Sequence, residues 1–225
     1  MSEIERALNN ATSCEVVKAP RLPRVYAILD AARLTAGSLP VAAETLLAAG
    51  VRLMQYRDKR GTSREMYEAG QLIAGLVQPA KGIFILNDRS DVAWASGANG
   101  VHLGQDDLPA AEARRVLPAG KLIGVSTHTV KQVLEADRAP ADYIAFGPIF
   151  ATRSKERPDP VVGLAGLRAA REATHKPLVA IGGITLDNAQ QVIDSGADSI
   201  AVIDALLGAA DLAERARQFL QTVGP

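Results

Sequence analysis

The strongest constraint on the fold of this chain is the regular return of short apolar runs, each followed by a stretch with helical patterning. The runs begin about 18 to 35 residues apart, a spacing that suits a strand, a helix and two loops. They are apolar throughout instead of alternating, which indicates strands buried on both faces, as in a parallel sheet. The predicted strands are Val25–Leu29, Arg52–Tyr56, Ile83–Leu86, Val101–Leu103, Leu122–Val125, Tyr143–Phe146, Leu178–Ile181 and Ser199–Ile203.

Eight strand–helix units in 225 residues, with no linker between them, favour an α/β fold that closes into a (β/α)8 TIM barrel. An open doubly wound sheet is the alternative. We predict a single barrel domain over residues 24–225. A short N-terminal extension over residues 1–23 is predicted to contain a helix at Ile4–Leu8. The last helix of the barrel is predicted at Leu206–Leu220.

The composition excludes several classes of protein. A hydrophobic fraction of 48% argues against disorder, and 25 basic against 25 acidic residues leave no general attraction to nucleic acid or membrane. Cys14 is the only cysteine, so there is no internal disulfide framework and no cysteine-rich zinc site. The first residues lack the apolar core of a signal peptide, and no apolar stretch is long enough to span a membrane. We therefore expect a soluble, cytoplasmic protein.

Carboxylates follow two neighbouring strands of the predicted barrel. Asn87-Asp88 ends the third strand, and Asp106-Asp107 follows the fourth. Parallel strands end at the same edge of a sheet, so these carboxylates should converge where barrel enzymes bind their ligands. Two converging carboxylates repel unless a cation shares them, and oxygen ligands favour Mg²⁺ together with a substrate phosphate. The simpler alternative is that each aspartate caps the helix that follows it.

The end of the second strand supplies positive charge. Alternation along the strand points Gln55, Arg57 and Lys59 to the same side. Arg and Lys at one place are typical of a phosphate-binding site. The alternative is a solvated loop in which Asp58 neutralises a neighbouring cation.

The remaining strand ends are less specific. After the seventh strand, Gly182-Gly183 would expose backbone N–H groups in the loop that often binds phosphate in barrels. Of the histidines, His102 fits a packed core position, His128 is equally compatible with the surface and with catalysis, and His175 falls in a loop. The sequence offers no convincing Ser–His pair.

Taken together, these residues resemble the thiamine-phosphate synthase family from about Tyr26 to Leu207. The order and spacing of the motifs carry the resemblance. They are Gln55-x-Arg57-x-Lys59, Asn87-Asp88, His102-Leu103-Gly104-Gln105-x-Asp107, Gly124-x-Ser126, Gly147-Pro148-Ile149-Phe150, Thr152-x-Ser154-Lys155 and Ile181-Gly182-Gly183-Ile184.

The resemblance implies a Mg²⁺-dependent transferase that joins a pyrimidine diphosphate to a thiazole phosphate and releases diphosphate. Its small-molecule substrates and its metal would be held by residues carried over by position. The implied pyrimidine-diphosphate ligands are Gln55, Arg57, Lys59, Asn87, Ser126 and Lys155, of which Arg57, Lys59, Ser126 and Lys155 are also implied to be catalytic. The implied Mg²⁺ ligands are Asp88 and Asp107. The implied thiazole-phosphate ligands are Thr152, Ser154, Gly183, Ile203 and Asp204.

Two positions depart from the family pattern. Ser154 replaces a threonine and keeps the hydroxyl. Asp204 stands where relatives usually have a small hydroxyl residue, and its carboxylate would repel a phosphate unless the side chain turns away as a helix cap. Two alternatives therefore stay open, a thiazole tautomerase-like isomerase and a non-catalytic regulator that binds thiamine precursors. Assembly into a homo-oligomer is also left open.

Overall fold

The computed structural model describes residues 21–152 and 159–224. Eight parallel strands close into one barrel in sequence order, with the first strand paired to the eighth. The predicted (β/α)8 barrel is therefore confirmed, and the open sheet is excluded. The strands are β1 Val25–Asp30, β2 Leu53–Arg57, β3 Ile83–Asn87, β4 Gly100–Leu103, β5 Leu122–Thr127, β6 Tyr143–Phe146, β7 Leu178–Ile181 and β8 Ser199–Val202.

Helices follow the strands and cover the outside of the barrel. They are α1 Ser38–Ala49, α2 Ser63–Val77, α3 Ser90–Ala95, α4 Ala110–Val116, α5 Val130–Arg138, α6 Gly163–Glu172, α7 Leu186–Asp194, α8 Asp204–Leu207 and α9 Leu212–Val223. None of the helices in the described ranges is long and apolar enough to cross a membrane.

Two apolar cores explain why the strands are apolar throughout. Along β1, Val25, Ala27 and Leu29 belong to a large core shared with the helices. Tyr26 and Ile28 point the opposite way, into a smaller core inside the barrel. The same alternation continues around the barrel, because successive side chains of a strand face opposite sides of the sheet. Both faces are thus buried, as the sequence predicts.

The end of the chain differs from the prediction of one helix over Leu206–Leu220. The structure has two helices, α8 and α9, separated after Leu207. Asp211 starts the second helix, since its side chain accepts a hydrogen bond from the Glu214 backbone N–H at 2.9 Å. This capping bond ends the continuity that the apolar periodicity alone indicates. The helix predicted at Ile4–Leu8 lies outside the described residues.

Candidate active site

A cavity of about 920 Å³ opens at the carboxyl ends of the strands. Its volume is in the range of small-molecule sites, and it occupies the edge where barrel enzymes carry their chemistry. Eleven of the thirteen predicted site residues line it, namely Gln55, Arg57, Lys59, Asn87, Asp88, Asp107, Ser126, Thr152, Gly183, Ile203 and Asp204. The other two, Ser154 and Lys155, lie outside the described residues.

The two cations at and just after the end of β2 are held by carboxylates at the ends of the neighbouring strands β1 and β3. Arg57 Nη1 contacts Asp30 Oδ2, and Asp30 is buried at the end of β1. Lys59 Nζ lies 2.6 Å from Asp88 Oδ2, with the lysine side chain half exposed. Because both cations face the cavity, the interpretation of this segment as a merely solvated loop is wrong.

Asp58 has a local role that differs from neutralising these cations. Its Oδ1 accepts hydrogen bonds from the backbone N–H groups of Arg60 and Gly61 at 2.9 and 2.8 Å. Its Oδ2 accepts from the Tyr56 hydroxyl at 3.1 Å. Asp58 therefore shapes the turn after β2 and leaves the charges of the strand end directed into the cavity.

Asp88 and Asp107 form the carboxylate pair that the sequence predicts. Burial, reinforced by a hydrogen bond with the Asp107 carboxyl, raises the pKa of Asp88 to about 6, although Lys59 opposes the shift. Asp88 also adopts a left-handed backbone conformation with φ 66°, which is uncommon outside glycine, asparagine and aspartate. Its backbone N–H donates to the His102 carbonyl at 2.7 Å, which fixes this turn against β4.

The alternative that these aspartates cap the following helices is wrong. The residues that precede α3 and α4 are Arg89 and Pro109, and neither helix has a side-chain cap. Asp107 Oδ2 accepts instead from the Gly104 backbone N–H at 2.6 Å, which holds its carboxylate at the rim of the cavity. Both carboxylates are thus directed to each other and to the cavity.

The residues present suit a magnesium ion that shares its shell with a substrate. Over the described ranges, no group of three or more His, Cys, Asp or Glu side chains could hold a metal ion. A closed protein cage for a metal is therefore not formed by these residues. Mg²⁺ typically takes only one or two carboxylates and completes its coordination with water and phosphate oxygens. The Asp88–Asp107 pair meets that requirement, and a shared cation would offset the burial and the proximity of Asp107 that raise the pKa of Asp88.

Asn87 adds an amide donor to the cavity. It is buried, and its Nδ2 has no hydrogen-bond partner among the residues that the structure describes. Buried amide groups are nearly always hydrogen-bonded, and an exception calls for a specific reason. Since Asn87 also lines the cavity, a ligand acceptor is the simplest partner for it.

The floor of the cavity is a buried polar chain that sequence reasoning missed. Gln55 donates to the Tyr26 hydroxyl, which contacts Tyr143. Tyr143 contacts His102, and His102 contacts Ser126. The only signal in the sequence was the alternation of side chains along β1, which turns Tyr26 toward the inside of the barrel. The core position predicted for His102 is confirmed, although this histidine also lines the cavity.

The opposite rim of the cavity is formed by backbone from the seventh and eighth loops. Gly182 and Gly183 have φ 102° and 63°, which glycine adopts at little cost. A Cβ on Gly183 would lie 2.5 Å from the Ala151 carbonyl oxygen, so this loop approaches the sixth loop closely. Thr185 and Asn188 form a capping box at the start of α7. The glycine pair therefore lies just before the start of a helix, as the sequence predicts.

Asp204 does not turn away as a helix cap. It is the first residue of α8, whose cap position is Ile203, and its Oδ1 lies 2.8 Å from Arg33 Nη2. The Arg33 guanidinium thus compensates the carboxylate that departs from the family pattern. This pairing could not be predicted from the sequence, since Arg33 lies in the loop after β1, far from Asp204 along the chain.

His128 lines the cavity, and Asp30 holds the cavity cation Arg57; the sequence left the first undecided and the second unnoticed. His128 Nδ1 lies 2.5 Å from the Gly147 carbonyl oxygen, and Nε2 lies 3.4 Å from Asp159. It is therefore part of the cavity wall and not a free surface group. Asp30 directly follows the apolar run of β1, and that position is the signal that could have found it.

Comparison with known proteins shows the family of this chain. A family model described as thiamine monophosphate synthase matches residues 25–206, which include every strand and the whole set of cavity residues described above. The chain belongs to the thiamine monophosphate synthase family. Family membership identifies the chain as an enzyme, a transferase, and confirms the resemblance that the motifs indicate.

Individual relatives agree with the family model. The thiamine-phosphate synthase of Koribacter versatilis (strain Ellin345) is 50% identical over 205 residues, covering 89% of this chain and 96% of the relative. That of Chloroflexus aurantiacus (strain ATCC 29366 / DSM 635 / J-10-fl) is 44% identical over 195 residues, covering 87% and 90%. Among solved structures, thiamine phosphate pyrophosphorylase from Pyrococcus furiosus superimposes with a TM-score of 0.81 at 36% identity, covering 89% of this chain and 95% of that one.

Proposed function

We propose that the chain condenses 4-amino-2-methyl-5-(diphosphooxymethyl)pyrimidine with 4-methyl-5-(2-phosphoethyl)thiazole, giving thiamine phosphate and diphosphate in thiamine biosynthesis. The observation that carries the proposal is the meeting of the Asp88–Asp107 pair with Arg57 and Lys59 in one cavity. That combination suits a metal-bound diphosphate, and the thiamine-phosphate synthases among the relatives support the same reaction.

The proposed reaction breaks the bond between the pyrimidine methylene carbon and the diphosphate oxygen, and that oxygen keeps the electron pair. The thiazole nitrogen supplies the electron pair for the new carbon–nitrogen bond, so no protein nucleophile or general base is required. Arg57 and Lys59 stabilise the negative charge that accumulates on the leaving diphosphate. A magnesium ion held by Asp88 and Asp107 would, when bound, neutralise part of that charge.

The pyrimidine diphosphate would lie against the β2–β5 side of the cavity. Gln55 and Ser126 are available to its polar groups there, and the unpartnered Nδ2 of Asn87 can donate to one of its oxygens. The resemblance adds Lys155 to this subsite as a further cation, a role that stays a prediction.

The thiazole phosphate would lie on the opposite rim. Backbone at Gly183 and Ile203 and the side chain of Thr152 are the proposed ligands, and the resemblance adds Ser154. Asp204 would border this phosphate with its charge compensated by Arg33. The argument for a non-catalytic regulator depended on an uncompensated carboxylate at this position, so it loses its support. A cytoplasmic location stays a prediction of the sequence, and assembly into a homo-oligomer stays open.

The proposal is tested by incubating the purified protein with both substrates and Mg²⁺ and measuring thiamine phosphate by chromatography. We expect equal amounts of thiamine phosphate and diphosphate, and neither product when one substrate is omitted. Rearrangement of the thiazole without diphosphate release would indicate a tautomerase instead. Saturable binding of both substrates without any product would indicate a regulator, and either result would overturn the proposal.

A further inference from the structure

The buried polar chain beneath the cavity is continuous over five side chains from five different strands. Gln55 Nε2 donates to Tyr26 Oη at 2.7 Å, and the hydroxyl oxygens of Tyr26 and Tyr143 lie 3.0 Å apart. Tyr143 Oη lies 3.0 Å from His102 Nδ1, and His102 Nε2 lies 2.9 Å from Ser126 Oγ. This row of hydrogen-bonded side chains ends at Ser126 in the wall of the cavity.

Packing holds these hydrogen-bonded side chains in place. Tyr26 and Tyr143 are only 1% and 0% exposed, and their rings meet edge to face with centroids 6.2 Å apart. The imidazole of His102 stacks on the Tyr143 ring at 5.5 Å. Gly124 makes room for that ring, since a Cβ there would lie 2.0 Å from Tyr143 Cζ. The distances between these hydrogen-bonded side chains are therefore set by the barrel interior and do not depend on flexible surface groups.

The direction of the hydrogen bonds follows from counting protons. Burial raises the pKa of the Tyr26 and Tyr143 hydroxyls, so each keeps one proton and can donate once. Gln55 donates to Tyr26, so Tyr26 donates onward to Tyr143, which donates to His102 Nδ1. A neutral imidazole that accepts at Nδ1 carries its proton on Nε2.

We propose that His102 is a positioning residue, which as its Nε2–H tautomer donates to Ser126 Oγ and so turns the serine hydroxyl proton toward the cavity. Ser126 then presents a hydrogen-bond donor to an anionic ligand. This inference rests on the proposed function, in which the ligand is a diphosphate. In this role the tyrosines and His102 act through Ser126.

For a neutral imidazole, the row of hydrogen bonds has one other consistent direction. With the Gln55 amide turned around, every bond reverses, His102 carries its proton on Nδ1, and Ser126 donates to Nε2. Ser126 would then show only lone pairs to the cavity, which is unfavourable beside a diphosphate. The two directions predict opposite tautomers of His102, so they can be distinguished by spectroscopy.

The test is nitrogen-15 NMR of the histidine side chains in the full-length protein. Only three histidines are present, and His128 supplies an internal reference. Its Nδ1 lies 2.5 Å from a carbonyl oxygen of Gly147, which can only accept, so this nitrogen must carry a proton. We expect His102 to show the reverse pattern, with a proton on Nε2 and none on Nδ1. A proton on His102 Nδ1 would overturn the inference, whether or not the protein has synthase activity.

Tyr143→Phe tests how the tautomer is set, because it removes one hydroxyl and keeps the ring. We expect the two His102 nitrogen signals to move toward each other as the tautomers mix. We also expect kcat/KM for the pyrimidine diphosphate to fall by about five- to tenfold, the effect of one hydrogen bond, with KM for the thiazole phosphate unchanged. Tyr67→Phe, on α2 and outside the cavity, is the control and should change neither. An unchanged His102 tautomer with unchanged kinetics in Tyr143→Phe would refute the positioning role.

Discussion

Replacing Asp88 with asparagine should stabilise the metal-free protein at neutral pH. Burial, with the hydrogen bond from Asp107, raises the pKa of this carboxyl from 3.8 to about 6. An acid whose pKa is higher in the folded state binds its proton more tightly there. Its contribution to stability is therefore fully present below pH 3.8 and is lost as the pH rises through about 6. Asparagine carries no charge, so the variant should avoid that loss.

The size of the effect follows from the change in pKa. A change from 3.8 to about 6 corresponds to about 3 kcal/mol. Asp88 is partly in contact with solvent and pairs with a half-exposed lysine, so screening reduces this to about 1–2 kcal/mol. For a chain of this length, such a difference in the free energy of unfolding raises Tm by about 3–6 °C.

Urea denaturation with EDTA at pH 4 and pH 8 measures the effect. We expect the free energy of unfolding of Asp88→Asn to exceed that of the wild type at pH 8 and to match it near pH 4. Asp91→Asn is the matched control, because Asp91 lies on the same segment but forms an exposed pair with Arg89. The Asp91→Asn substitution should not raise the free energy of unfolding at pH 8. If Asp88→Asn is less stable than the wild type at pH 8, the claim that the ionised Asp88 carboxylate destabilises the metal-free protein is refuted.

Three other variants give independent tests. Arg33→Ala should raise KM for the thiazole phosphate about two- to fivefold, because the Asp204 carboxylate beside the phosphate loses its compensating cation. Adding Asp204→Ser to this variant should restore the wild-type KM. If the effects of the two substitutions on KM are simply additive, Arg33 does not compensate Asp204. Gly124→Ala should lower the free energy of unfolding by about 2–3 kcal/mol in urea titrations, because its Cβ would overlap Tyr143. Asn87→Leu should increase stability by about 1 kcal/mol by removing an unpartnered buried amide while lowering kcat/KM, and unchanged kinetics would show that the amide serves no ligand.

The sequence was sufficient to predict the fold and the edge that carries the site. The apolar runs fix the strands because both faces of a parallel barrel are buried, and strand ends then share one edge. Asp88 and Asp107 could be predicted to converge for that reason alone. Alternation along β2 likewise predicted that Gln55, Arg57 and Lys59 face one cavity.

Partners across the barrel could not be predicted in the same way. Tyr26 and Tyr143 are 117 residues apart, and their contact depends on the barrel closing and on the space that Gly124 leaves. The Arg33–Asp204 pair similarly joins the loop after β1 to the start of α8, which meet only after β1 pairs with β8. A periodic pattern gives the direction of a side chain, but the partner it meets is determined by closure and packing.

The most direct test of the central claim is diphosphate release with both substrates over a titration of Mg²⁺. We predict release that requires Mg²⁺ in the wild type and in the Asp91→Asn control. For Asp88→Asn, we predict that far more Mg²⁺ is needed or that release is lost. Full release by the wild type in EDTA, or an unchanged Mg²⁺ requirement in Asp88→Asn, would contradict the proposed magnesium-dependent condensation at this carboxylate pair.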